Sequence, residues 1–163
     1  GYLPSWVLIA TIFLLIDRSD GASTPAPRPW LRGAYLLLSV LSAGLVAEAL
    51  KLLLRRERPH ELAEYVFRSF WDRPLSTVNL GLPSSHSLVA FAGAFALCRL
   101  VPAGCPVWVL FAAGCGLTRL LDGGHFLSDV ALGAVAGYAV AWGMWRLLRL
   151  DGAGARVGPA GEQ

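Results

Sequence analysis

The sequence predicts an all-α, polytopic transmembrane helix bundle, and three observations carry that expectation. Of its 163 residues, 55% are hydrophobic and only 15% are charged, against roughly a quarter charged in soluble domains. The apolar residues come in blocks, with no β-alternation and no tandem repeat. Gly, Ala and Ser recur through the last three blocks ("AFAGAFA", "AAGCG", "LGAVAGYA"), as they do where helix backbones approach closely in lipid.

Five blocks are the expected spans: Tyr2–Ile16, Trp30–Leu54, His86–Val101, Cys105–Leu121 and Phe126–Leu150. A spanning helix needs about 20 apolar residues. The second and fifth blocks meet that length, and the third and fourth reach it with their flanks. The first is short, as a span cut at its N-terminus would be. The chain starts at Gly1 with no basic n-region and no small-residue cleavage site, so this block is not read as a signal peptide.

The connectors differ in character. "DRSDGASTPAPRP" reads as a hairpin loop and "RLVPAGCP" as a tight turn. The tail 151–163 reads as disordered, which leaves residues 1–150 as one transmembrane domain. The long connector, residues 55–83, holds charges, aromatics and a candidate amphipathic helix, "ELAEYVFRSFW". Such a helix would lie in the headgroup layer and serve as a lid.

Composition also excludes some functions. A net charge of +3, without a Lys/Arg run interleaved with aromatics, argues against a nucleic-acid partner. Cys98, Cys105 and Cys115 lack CxxC or metal-ligand spacing and are read as small buried hydrophobes, neither disulfide nor metal site. The six tryptophans fit interfacial belts or packing.

Three polar clusters interrupt the apolar pattern. "KLLLRRERP" closes the second block, "PSSHS" opens the third, and "TRLLDGGHFLSD" joins the fourth to the fifth. With no span between the first two clusters and two spans between the second and third, all three reach the same membrane face. His125 and Asp129 are four residues apart, on one face of a helix. The carboxylate there is placed to accept the imidazole Nδ1–H and leave Nε2 as nucleophile or base. His86 supplies a second imidazole, suited to protonating a leaving oxygen. Lys51, Arg58 and Arg119 are cationic donors, and arginine's fork matches phosphate oxygens. Ser84 and Ser85 stand at a helix start, where free N–H groups favour an anion. Together these groups describe a site for displacement at phosphorus.

Duller readings apply nearby. Arg55 and Arg56 read as interfacial snorkellers, His60 as a surface residue, and Glu48 as the structural ion-pair partner of Lys51. Ser84 on its own would be an ordinary N-cap. Asp129 is harder to dismiss, because a carboxylate inside an apolar span is costly and usually functional.

The clusters resemble the tripartite signature of the type 2 phosphatidic acid phosphatase superfamily: K-x6-R-P, then P-S-G-H, then S-R-x5-H-x3-D. Lys51, Arg58 and Pro59 match the first motif. Pro83, Ser84 and His86 match the second, and Arg119, His125 and Asp129 the third. The resemblance covers Trp30 to about Leu150 and implies a six-helix core with the first span ahead of Gly1. It also implies a metal-independent phosphatase without cofactor. By resemblance His125 is the nucleophile that becomes phosphohistidine, His86 the general acid, Asp129 the orienter of His125, and Lys51, Arg58 and Arg119 the phosphate holders. Ser85 stands in place of the motif's Gly. Thr118 stands in place of its Ser and is left out of the site.

The implied partners are the lipid bilayer and a phosphorylated membrane lipid, with phosphatidic acid, phosphatidylglycerophosphate, undecaprenyl diphosphate and lipid A phosphates as candidates. "GGHFLSDV" resembles bacterial members, which points to a bacterial inner membrane. Lys and Arg tie at seven on each face; setting Lys51, Arg58 and Arg119 aside as site groups makes the tail side cytoplasmic and the site extracytoplasmic. Vanadate haloperoxidases share the motifs but are soluble and much larger. The alternative from another class is an idle membrane protein that binds phosphorylated lipid without cleaving it.

Overall fold

The apolar runs do become helices, and the polar clusters stop them. The computed structural model describes residues 6–12, 15, 30–60, 64–148 and 150. The expected hairpin loop 17–29 and the tail 151–163 lie outside the described residues. We label the long helices α1 (Trp30–Leu54), α2 (Ser85–Leu100), α3 (Cys105–Leu121) and α4 (Leu127–Leu147), with a 3₁₀ turn at Pro102–Gly104 before α3. Residues 6–12 and 15 of the first block are helical too. Three helical stretches, Trp30–Leu54, Pro102–Leu121 and Leu127–Leu147, are long and apolar enough to cross a membrane; α2, at 16 residues, is shorter.

The short helix is central. α2 packs against α1, α3 and α4, and half of its residues are buried, from Ser87 and Leu88 to Ala96 and Leu97. A helix apolar on all sides and enclosed by neighbours is what its Ala/Gly-rich sequence encodes. α3 is peripheral, burying only Ala112 and Gly116 while Leu110, Phe111 and Leu121 are exposed, as on a lipid-facing surface. Trp6 packs onto α2: a Cβ at Gly93 would fall 2.1 Å from the Trp6 ring.

A Gly-x3-Gly step on α4 sets the distance between α2 and α4. A Cβ at Gly137 would stand 2.7 Å from Leu88 O and 2.8 Å from Ala92 N, and both are backbone atoms that cannot swing aside. At Gly133 the nearest atoms are Ser84 O and Ser87 Cβ, each at 3.1 Å. Gly137→Ala is therefore expected to destabilise the bundle by about 1–3 kcal/mol, the usual range for overpacking. Gly143→Ala, on the same helix with nothing within 4 Å of its added Cβ, is expected to be neutral. Detergent or thermal unfolding of the two variants checks this, and equal stability would remove the seam argument.

Two expectations about local structure are corrected. Cys98 and Cys105 are joined in a disulfide. Pro102 ends α2 at Leu100, and the 3₁₀ turn folds the chain back so that the two Cα atoms are 4.4 Å apart. Only Cys115 is a free thiol among the described residues. The connector segment 64–71 is not helical; residues 61–63 are outside the described set. Phe67 forms an isolated antiparallel bridge with Arg56, and further along the connector Leu80 forms another with Glu57.

The reason lies in Arg55. It ends α1 with φ 52, a left-handed conformation uncommon outside Gly, and it is almost wholly buried. Its guanidinium donates to the carbonyls of Arg68 (3.3 Å), Ser69 (2.9 Å), Asp72 (2.5 Å) and Pro74 (3.2 Å). Carbonyls engaged in this way are not offered to a helical ladder. Arg68 adds bonds to Val78 O (2.8 Å) and Glu57 Oε1 (2.9 Å). That bond, then the contact with His60, holds the Glu57 carboxyl below its ordinary range. A depressed carboxyl contributes its stability above its unfolded value and loses it on acidification, so the clasp holds at neutral pH. Arg55 and Arg56 are thus interior residues and not snorkellers.

Candidate active site

The clusters distant in sequence meet at one end of the bundle. α1 and α3 end there, and α2 and α4 begin there. The start of α4 is the fixed point. Asp129 lies at its third position, fully buried, and its Oδ2 accepts the N–H of Phe126 at 2.8 Å. This satisfies one of the donors that every helix start leaves open. Its own carbonyl accepts Ser84 N–H at 3.1 Å, which ties the start of α2 to the start of α4.

His125 sits just before α4 with 7% of its surface exposed. Its Nδ1 lies 3.4 Å from Asp129 Oδ2. That contact is long for a hydrogen bond, and Nδ1 has no other partner among the described residues. The carboxylate therefore faces the ring nitrogen that the spacing assigned to it. Gly81 closes the other side: a Cβ there would stand 3.3 Å from Asp129 Oδ2 and from Arg58 Cα.

The other Asp129 oxygen has a partner that sequence reasoning missed. Arg56 Nη2 donates to Oδ1 of Asp129 and, at 2.8 Å, to Ser128 Oγ. The guanidinium rests against the touching rings of Tyr65 and Phe126, at 5.0 and 5.2 Å from their centroids. The signal available beforehand was the need of an intramembrane carboxylate for a cation. Three arginines in "RRERP" could have met it.

Ser84 departs from the expectation. It is buried, caps α2 by accepting Ser87 N–H at 3.4 Å, takes a 3.1 Å bond from Ser87 Oγ, and has its own N–H on Asp129 O. Its polar groups face protein, so it acts as a cap and a strut. The first intrahelical bond is Leu88 N–H to Ser84 O, so the N–H groups of Ser85 and His86 precede the ladder and form its anion-favouring end. Ser85 Oγ donates to Glu48 Oε1 at 3.1 Å, and Glu48 also accepts Lys51 Nζ at 2.9 Å. The expected Glu48–Lys51 pair is present.

The remaining groups lie around this core. His86 is exposed at the mouth, within electrostatic reach of Arg119, His125 and Lys51. Arg119 pairs with Asp122 at 2.8 Å, while its Nε is buried without a partner among the described residues. Arg58 is exposed, and its backbone N–H is fixed on Asn79 O at 3.0 Å. Thr118 Oγ1 donates to Cys115 O at 2.8 Å. His60, read as a surface residue, is exposed and contacts Glu57 Oε2 at 3.2 Å.

The PAP2 superfamily model matches residues 32–152, three quarters of the chain and every cluster just described. The chain belongs to the PAP2 superfamily. Similar PAP2 proteins include lipid A 1-phosphatase of Rhizobium johnstonii, 34% identical over 71% of this chain and 45% of the relative. Its counterpart in Rhizobium etli is 35% identical, over 66% and 46%. Decaprenylphosphoryl-5-phosphoribose phosphatase of Mycobacterium tuberculosis is 32% identical, over 69% and 58%. The chain spans about half the length of these curated relatives. No solved structure matches it. With its apolar helices, this PAP2 chain is a polytopic membrane protein.

Proposed function

We propose that the protein removes phosphate from a phosphomonoester or pyrophosphate of a membrane lipid through a phosphohistidine on His125. The observation that carries this reading is the buried His125–Asp129 contact at 3.4 Å, beside a helix start and convergent cations. With Nδ1 facing the carboxylate, Nε2 is free to attack phosphorus. The phosphorus–oxygen bond to the lipid breaks, and His86 gives its proton to the leaving oxygen. Lys51, Arg58, Arg119 and the N–H groups of Ser85 and His86 hold the phosphoryl oxygens, on which charge builds. Water then attacks the phosphohistidine, with His86 taking its proton, and inorganic phosphate leaves.

The substrate's chains stay in lipid while the headgroup enters from the connector side. The relatives' names favour an envelope lipid with a large headgroup or prenyl chain, and lipid A phosphates lead the candidates. Phosphatidic acid, phosphatidylglycerophosphate and undecaprenyl diphosphate follow. The site opens to the extracytoplasmic side of a bacterial inner membrane, as the balance of Lys and Arg favours. The test is phosphate release by purified, detergent-solubilised protein from these four lipids in the presence of EDTA. EDTA-resistant release from one of them is the expected result. Release from none would leave a lipid-binding protein.

A further inference from the structure

We infer that Arg56 is a positioning residue for the His125–Asp129 pair, standing at one of the unspecified positions of the first motif and never touching the phosphate. The inference rests on the reading of His125 as nucleophile. The two oxygens of Asp129 have separate duties. Oδ2 faces Phe126 N–H at 2.8 Å and His125 Nδ1 at 3.4 Å, while Oδ1 is taken by Arg56 Nη2. Fixing Oδ1 stops the carboxylate from rotating about its Cβ–Cγ bond, and only then does Oδ2 keep pointing at the imidazole.

Charge gives a second reason. Asp129 is fully buried, and Phe126 N–H and a neutral imidazole do not balance its charge. A buried carboxylate without a cation is strongly destabilised, and the group would neutralise or turn outward. Arg56, with a side chain only 8% exposed, supplies that cation from the connector. The Tyr65 and Phe126 rings, in contact with each other, both pack against its guanidinium, and Ser128 Oγ fixes its reach. Its backbone is held as well, because Gly81 N–H donates to Arg56 O at 2.8 Å. A group so enclosed is placed to hold Asp129, whereas exposed Arg58, two residues on, is placed to meet substrate.

The test compares Arg56→Met, Arg56→Gln and Arg56→Lys with the unaltered protein, using the lipid that gives release above and nitrogen-labelled histidine. The chain has three histidines, so the His125 ring signals are assigned by removing His60 and His86. In the unaltered protein the ring is expected as one tautomer, protonated at Nδ1. Met and Gln should give a mixture of tautomers and Lys should restore one. Turnover should follow, with kcat falling on the order of 10–100-fold for Met and Gln, as for the loss of other outer-shell partners. KM should stay within about twofold, and Lys should recover most of the loss. Should the Met variant fail to fold, the Gln variant, which keeps a donor but no charge, gives the same readings.

A single Nδ1–H tautomer in Met or Gln would overturn the inference. So would a rise in KM at constant kcat, the mark of a phosphate holder. A tautomer that depends on Arg56 in a protein that releases no phosphate would sink the functional reading and keep this one.

Discussion

Purified His125→Ala protein is expected to release no measurable phosphate from any lipid that the unaltered protein hydrolyses, while staying folded in the membrane. The loss of activity follows from chemistry: without Nε2 there is no atom to form the phosphohistidine, and water must attack the lipid ester directly. Retention of the fold follows from the arrangement around Asp129. Removing the imidazole leaves Oδ1 on Arg56 and Oδ2 on Phe126 N–H, so the buried carboxylate keeps a cation and a donor. Thermal unfolding alongside the release assay separates the two effects. Activity within tenfold of the unaltered protein would remove His125 as nucleophile and with it the proposed mechanism.

Asp129→Asn should be nearly as damaging to turnover and far worse for stability. Neutralising the carboxylate of a serine-protease triad costs about 10⁴-fold in rate by selecting the wrong tautomer, and a loss of that order is expected here. The structure adds a cost that the triad analogy lacks. Each carboxylate oxygen already accepts from a donor, Arg56 on one side and Phe126 N–H on the other. An amide has one acceptor and one donor end. Either orientation of the introduced amide sets its NH₂ against another N–H and leaves Arg56 buried without its counter-charge. Removing one partner of a buried pair costs about 3–5 kcal/mol. Rates normalised to the folded fraction should still show the catalytic loss. A normalised drop below tenfold would deny Asp129 its orienting role.

What the sequence disclosed follows the range of the forces involved. Lys51, Arg58, His86, Arg119, His125 and Asp129 were legible because each sits at a fixed offset from a helix end, and the alternation of spans brings those ends together. The Glu48–Lys51 pair is likewise a short-range event on one helix. Arg55 and Arg56 were misread because their partners lie 13–19 and 72–73 residues away. Nothing in "RRERP" tells an arginine facing headgroups from one wrapped by its own connector. The expected helix at 61–71 failed for the same reason, since Arg55 had already claimed carbonyls from that region. Ser84 was half legible: its cap is local, but the bond from its N–H to Asp129 O crosses 45 positions of sequence. The Cys98–Cys105 bridge depends on how tightly three residues of 3₁₀ turn fold back, which cysteine spacing does not state.

That bridge works as a compass. It stands where α2 ends, and the candidate site stands where α2 begins, so one 16-residue helix separates them. In the proposed inner-membrane placement the two ends of α2 look toward opposite compartments, and only one of these sustains disulfides, since cytosolic thiols are kept reduced. In the proposed outward orientation of the site, Cys98 and Cys105 belong to the reducing side. In living cells they should be trapped as thiols by a permeant alkylating reagent, closing into the bridge only after extraction into air. A pair that resists trapping in the cell would turn the protein over in the membrane, and the phosphate it releases would then be delivered to the cytoplasm. Two native sulfurs, seven residues apart, thus report which face of the membrane the candidate site meets.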